Sequence, residues 1–160
     1  MKQEDAYKIA EKHCTGIRWD GSPSISHIRR TAQLTEDIVR DVFNEDYLNV
    51  VKCAAILHDV IEDCLDKDEF DNSALDDVII FDDVHSGLLE IVSTLTHRKD
   101  EPYENYISRV INSPNLAPTC IKIADMIDNL TSKGVTLKQQ AKYRRALPRL
   151  IKRMSGLEKR

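Results

Sequence analysis

The stretch AAILHDVIEDC, residues 54–64, begins as an apolar helix and ends in one imidazole and three carboxylates. On a 3.6-residue period, His58 and Glu62 share one stripe, and Asp59 and Asp63 lie on the adjacent stripe. His58 and Asp59 diverge by about 100° around the axis, so a metal ion above the ridge between them could bind both. Acidic residues at a helix C-terminus oppose the helix dipole, and a bound cation would offset that repulsion.

The simpler interpretation is a buried helix that ends in solvated charges, because one His-Asp pair offers too few ligands. Two further residues could complete a site. His27 begins the preceding helix, and Asp125 lies in an apolar segment, where a carboxylate needs a partner. Two imidazoles and two carboxylates suit Mn²⁺, Fe²⁺, Zn²⁺ or similar ions. A carboxylate one turn later, from Glu62 or Asp63, could then orient a water molecule or transfer its proton.

Composition predicts one cytoplasmic domain. The 160 residues are 41% hydrophobic and 31% charged, and the net charge is -4, which argues against a nucleic-acid partner. Four cysteines without a C-x-x-C pair predict reduced thiols, and no segment resembles a signal peptide or a membrane span. The C-terminal basic residues are interpreted as a solvated helix face: Lys138, Lys142, Arg144, Arg145, Arg149, Lys152 and Arg153.

Helical periodicity predicts an all-α fold, a compact multi-helix bundle that forms a single domain over residues 1–160. Asn44 and Ser73 could cap the helices that follow them, and Pro148 should kink or shorten the last helix. The predicted helices cover residues 3–14, 26–43, 46–63, 74–81, 83–95, 102–112, 116–132 and 137–154.

The order His27, His58-Asp59 and Asp125 resembles the HD-domain metal-dependent phosphohydrolases. More narrowly, residues 58–63, HDVIED, and residues 122–129, KIADMIDN, resemble two boxes of the RelA/SpoT hydrolase domain and the small standalone alarmone hydrolases. The preceding loop also aligns, with Arg18, Gly21, Pro23 and His27 at matching spacings. The segment THRKDEPYENYISRV resembles bacterial and phage members, and the resemblance as a whole covers about residues 14–135.

The resemblance implies a role for each matching residue. The metal ligands would be His27, His58, Asp59 and Asp125, with Mn²⁺ as the usual ion and Fe²⁺, Zn²⁺, Co²⁺, Ni²⁺ or Mg²⁺ as alternatives. The catalytic water and its proton would be handled by Glu62 and Asp63. The substrate would be bound by Arg18 at the base, Asn129 at the ribose and Ser132 at the nucleotide. Lys122 could pair with Asp125 or meet a phosphate, and the basic loop of His97, Arg98 and Lys99 is either solvated or phosphate-binding.

The implied reaction is removal of the 3′-diphosphate from guanosine tetra- or pentaphosphate, with release of pyrophosphate. Two alternatives stay open: an HD enzyme that acts on a nucleoside monophosphate, NADPH or a cyclic nucleotide, and a catalytically silent nucleotide-binding module. Trp19, Asp20 and Asp128 depart from the alarmone pattern. The two added carboxylates and one lost cation weaken the case for guanosine tetraphosphate, and Trp19 could either stack on a base or cover the core. No membrane partner is expected, and the oligomeric state is undetermined.

Overall fold

The computed structural model of the chain describes residues 2–65, 76–79 and 87–156, without the side chains of residues 63–65. Within these ranges extended pairing is limited to one bridge between Ile17 and Pro23, and the prediction of an all-α fold is confirmed. Residues 76–79 are helical, whereas Ser73 and the rest of its predicted helix lie outside the described ranges. The remaining helices are α1 (Gln3–His13), α2 (Ser24–Val39), α3 (Glu45–Leu57), α4 (Val60–Leu65), α5 (Leu88–Leu95), α6 (Tyr103–Asn112), α7 (Ala117–Thr131) and α8 (Leu137–Ser155).

The predicted helix over residues 46–63 is divided in two. α3 ends at Leu57 and α4 begins at Val60, so His58 and Asp59 form the turn between them. The prediction of one continuous helix is therefore wrong. The turn allows two neighbouring side chains to approach each other, with His58 Nε2 3.2 Å from Asp59 Oδ1, although a continuous helix would point them about 100° apart.

Two local predictions have opposite outcomes. Asn44 caps α3 as expected, because its side-chain oxygen accepts a hydrogen bond from the backbone N–H of Tyr47 over 2.9 Å. Pro148 does not shorten the last helix, since α8 continues through it from Leu137 to Ser155. Pro148 lies on the exposed side of α8, where water can hydrogen-bond the carbonyl that proline leaves without a donor.

The buried side chains form two hydrophobic clusters. The first is built mainly from α1, α2, α3 and α5, and the second from α6, the later part of α7, and α8. α7 contributes to both, with Cys120 and Ile121 in the first cluster and Ile123 and Met126 in the second. α2 packs against both α3 and α7, so the start of α2, the end of α3 and the middle of α7 converge.

Hydropathy along the described helices gives no membrane-spanning candidate, because none combines the necessary length with sufficient apolar character.

Candidate metal centre and pocket

Three elements bring four of the predicted residues to one point. His27 lies in the first turns of α2, Asp125 lies in α7, and His58 and Asp59 form the turn between α3 and α4. His27, His58 and Asp125 each offer one ligand atom, and these atoms all lie within 4.8 Å of one another. Asp59 belongs to the same group, since its Oδ2 is 3.5 Å from His27 Nε2.

The hydrogen bonds of the two imidazoles leave the same nitrogen available in each. His58 Nδ1 donates to the carbonyl of Ala55 over 2.8 Å, and His27 Nδ1 lies 2.6 Å from Oδ2 of Asp128. Both Nε2 atoms are buried without a hydrogen-bond partner among the described residues. They point to the carboxylates of Asp59 and Asp125. Unpartnered imidazole nitrogens beside carboxylate oxygens are the donor set that a divalent transition ion requires.

Cationic neighbours balance the buried carboxylates. Burial opposes ionisation of Asp125, but Lys122 and His27 outweigh it and hold the pKa of that carboxyl well below its ordinary value. Nζ of Lys122 lies 2.6 Å from Asp125 Oδ2. Burial would also lower the pKa of His27, yet without a cation the neighbouring carboxylates of Asp125, Asp128 and Asp59 raise it to about 11. Without a cation, Asp125 is therefore ionised and paired with Lys122 and His27. Binding of a cation at Nε2 of His27 requires loss of the proton from that nitrogen.

Glu62 lies at the edge of this group. Its Oε2 accepts a hydrogen bond from the backbone N–H of His97 over 3.1 Å. Burial raises the pKa of Glu62, and the neighbouring charge of Asp59 adds to the effect, while Lys122 opposes it. A partly buried carboxyl with a raised pKa beside a metal centre suits proton transfer. The side chain of Asp63, predicted as its catalytic partner, lies outside the described residues.

A pocket opens above the His27 and Asp125 side chains. Its lining includes Arg18, Trp19 and Asn129. Arg18 donates from its terminal guanidinium nitrogen to Oδ1 of Asn129, and Nδ2 of Asn129 donates to Oδ1 of Asp125 over 2.7 Å. Asn129 thus lies beside Asp125, as the four-residue spacing predicts, and it connects the loop before α2 to the buried cluster.

The pocket lining also contains residues that the sequence did not identify as site residues. They are Tyr103, Tyr106, Lys142 and Tyr143. Nζ of Lys142 lies 3.8 Å from the centroid of the Tyr103 ring, so the interpretation of Lys142 as part of a solvated face is wrong. Lys142 and Arg149 are seven residues apart on α8 and therefore share a helix face. The sequence gives no sign that Lys142 lines the pocket and Arg149 does not.

Other predicted residues are spread around the pocket. His97 lines it, and its ring stacks on Tyr106 with centroids 4.9 Å apart. Arg98 and Lys99 are exposed and do not line it. Ser132 is also absent from the lining, and its hydroxyl donates to the carbonyl of Asp128 over 2.8 Å at the end of α7.

The residues that depart from the alarmone pattern have definite positions. Asp20 accepts hydrogen bonds from the backbone N–H and the hydroxyl of Ser22. Asp128 contacts His27 and Arg30. Both added carboxylates are therefore engaged within the protein, and neither lines the pocket. Trp19 is 43% exposed and lines the pocket, which excludes the core-covering alternative.

Comparisons with known proteins agree with this geometry. Residues 24–131, more than half of the chain, match the family model of the HD domain. A solved structure described as a metazoan ortholog of SpoT that hydrolyzes ppGpp and plays a role in starvation responses superimposes with a TM-score of 0.64. The two sequences are 22% identical, and the match covers 96% of this chain and 84% of that one. The curated proteins contain no match to this sequence.

The chain belongs to the HD-domain family, and the class that its fold and site define is the metal-dependent phosphohydrolase. Its fold is that of the SpoT-like hydrolase structure.

Proposed function

We propose that this protein is a nucleotide phosphohydrolase that removes the 3′-diphosphate from guanosine tetra- or pentaphosphate and releases pyrophosphate. The observation that carries the proposal is the group of His27, His58 and Asp125 at the base of a pocket lined by cationic and aromatic side chains. The solved structure with the same fold is described as hydrolyzing ppGpp.

His27, His58, Asp59 and Asp125 would hold the divalent ion, for which we propose Mn²⁺. When bound, such an ion supplies Lewis-acid activation of a phosphoryl oxygen and makes a nearby water more acidic. The two Nε2 atoms and the two carboxylates would supply nitrogen and oxygen ligands of the kind that such an ion takes.

Glu62 would act as the proton acceptor for the attacking water. Its carboxylate borders the pocket, and the N–H of His97 fixes one of its oxygens. Protonation of the leaving 3′ oxygen requires an acid near the same phosphorus, and Asp63 is proposed for that step on the strength of the family resemblance alone.

Three cations would offset the charge of the phosphates. Arg18, Lys122 and Lys142 all line the pocket, in a protein whose net charge is -4. The carboxylates of Asp59, Glu62 and Asp125 line the same pocket, so these cations would attract phosphate groups once a bound ion offset the carboxylates. The Arg18 guanidinium and the Trp19 ring also offer flat surfaces for a purine base, and Asn129 offers an amide for the ribose.

A nucleotide panel tests the proposal. The purified protein is loaded with Mn²⁺ and incubated with guanosine tetraphosphate, nucleoside monophosphates, NADPH and cyclic nucleotides, and released phosphate and pyrophosphate are measured. Pyrophosphate from the tetraphosphate supports the proposal. Orthophosphate from a monophosphate or from NADPH favours the alternative substrates instead. Absence of turnover with every nucleotide, in protein with measured metal content, favours the silent nucleotide-binding module.

We propose a small-molecule nucleotide as the partner, and a cytoplasmic location, where reduced cysteines and the nucleotide pool would both be present. Fractionation of the cells that express the protein would test the location.

A further inference from the structure

We infer that Asp128 is a positioning residue for the metal centre: with Arg30, it fixes the His27 ring so that Nε2 faces the ion. This inference rests on the proposed function, because it assigns His27 as a ligand. It concerns a residue at which the chain departs from the alarmone pattern.

The contact between His27 and Asp128 is short and shielded from water. His27 Nδ1 lies 2.6 Å from Asp128 Oδ2, and the side chains are 1% and 4% exposed. The hydroxyl of Thr31 is the other polar group near Nδ1, but it is 3.4 Å away. A carboxylate that accepts from one ring nitrogen fixes both the tautomer and the orientation of the ring, and thus defines the lone pair of the other nitrogen.

Arg30 holds the carboxylate in that position. Its Nε donates to Oδ1 of Asp128 over 2.6 Å, and its terminal nitrogen donates to Oδ2 over 3.1 Å. Such a two-point contact defines the plane of the carboxylate as well as its position. The three side chains therefore form a chain of contacts from the surface, where Arg30 is 44% exposed, to the buried Nε2 of His27.

The two histidines differ in what holds them. His58 Nδ1 contacts a neutral carbonyl, that of Ala55, whereas His27 Nδ1 contacts a charged carboxylate. A carboxylate makes the imidazole a stronger electron donor toward a cation than a carbonyl does. Of the two imidazoles, His27 should depend more on the group behind its Nδ1.

The test measures Mn²⁺ affinity by titration calorimetry, not turnover. Asp128→Asn keeps the size of the side chain and a hydrogen-bond acceptor, so the fold should persist, and circular dichroism of the metal-free protein checks this. We expect its Mn²⁺ dissociation constant to rise about 10- to 100-fold, the usual effect of losing such a partner. Asp128→Glu should recover part of the affinity, because it restores the charge.

The matched control is Asp37→Asn. Asp37 lies on α2, as His27 does, and like Asp128 it pairs with an arginine, here Arg40 at 3.4 Å. It contacts no histidine in the described residues. Its substitution should leave Mn²⁺ affinity unchanged. Equal affinities for wild type, Asp128→Asn and Asp37→Asn would overturn the inference while leaving the proposed function intact. A wild-type protein that binds no divalent ion would overturn the proposed function and this inference together.

NMR of the His27 ring tests the positioning role without a measurement of Mn²⁺ affinity. With diamagnetic Zn²⁺ bound, nitrogen-detected NMR of the histidine rings should show His27 protonated at Nδ1 in the wild type. The Nδ1 proton resonance should move upfield in Asp128→Asn, because the charge-assisted hydrogen bond is lost. An unchanged resonance would contradict the positioning role.

Discussion

The backbone N–H of His97 donates a hydrogen bond to Oε2 of Glu62 over 3.1 Å. This bond joins the segment after α5 to the start of α4 and fixes the carboxylate that we propose as the proton acceptor. Because the donor belongs to the backbone, substitution of the His97 side chain should preserve it.

Substitutions at Glu62 and Asp59 should separate metal binding from catalysis. Glu62→Gln should keep the metal and lower kcat at least 100-fold, since an amide cannot accept the proton. Asp59→Ala should lose both metal and activity, because its carboxylate lies among the proposed ligand atoms. Metal content by mass spectrometry and phosphate release would be measured on both variants. An equal loss of metal in the two would contradict this division of roles.

Trp19 should report nucleotide binding through its fluorescence. It is the single tryptophan of the chain, and the Arg18 guanidinium lies 4.2 Å from the centroid of its ring. A non-hydrolysable guanine nucleotide whose base contacts Arg18 and Trp19 should quench the emission, whereas inorganic pyrophosphate should leave it nearly unchanged. Arg18→Ala should weaken the nucleotide response about tenfold, since stacking on a flat group contributes about 1–3 kcal/mol. If pyrophosphate quenched the emission as strongly as the nucleotide does, the base would not bind beside Trp19.

Lys142 should contribute to substrate affinity. Lys142→Gln should raise KM for a polyphosphorylated nucleotide about tenfold, with a smaller change in kcat, because a lost charged contact costs about 1.5–3 kcal/mol. Lys138→Gln is the matched control, since Lys138 lies one turn earlier on α8, is exposed, and is not in the pocket lining. Initial-rate kinetics would distinguish the two. A similar KM for both variants would show that Lys142 has no role in binding.

The ion pair of Glu101 and Arg109 should make stability depend on acid pH. Glu101 accepts bonds of 2.9 and 2.7 Å from Arg109, and this contact lowers the pKa of its carboxyl from 4.5 to about 2. A group whose pKa is lower in the folded state stabilises it above the unfolded value. The contribution, about 2 kcal/mol, is therefore complete above about pH 4.5 and is lost as the pH falls toward 2.

Urea unfolding between pH 2 and pH 7 would measure this dependence. Glu101→Gln should lower the free energy of unfolding at pH 7 and flatten its decline in acid. Glu104→Gln is the matched control, because Glu104 pairs with Arg149 while its side chain is 58% exposed, and such pairs contribute little. Parallel pH curves for wild type and Glu101→Gln would contradict the assignment.

Helical periodicity predicted the fold class and most helices, because apolar spacing depends on local sequence. The division between α3 and α4 could not be predicted in this way. The apolar pattern continues across His58 and Asp59, and the turn between them becomes evident only when the contacts of these side chains with α2 and α7 are known. The cap at Asn44, by contrast, is a local interaction, and the sequence was sufficient for it.

The order of residues along the chain was sufficient to identify the metal-ligand candidates. It did not identify the aromatic and basic residues that line the pocket. Lys142 resembles its exposed neighbours on α8, and only the packing of α8 against α6 and α7 distinguishes it. From the sequence alone, Asp128 adds a negative charge that is unfavourable for an anionic substrate. Its contacts with His27 and Arg30 show that the side chain faces away from the pocket, a direction that sequence spacing does not reveal.

α7 supplies residues to both hydrophobic clusters and also carries Asp125. An ion held by Asp125, His27 and His58 would join α7 by direct bonds to α2 and to the turn after α3. Occupancy of the site would then govern folding cooperativity. The loaded chain should therefore unfold at a higher temperature and in a sharper transition than the metal-free chain, in which side-chain packing alone holds α7 to α2 and α3.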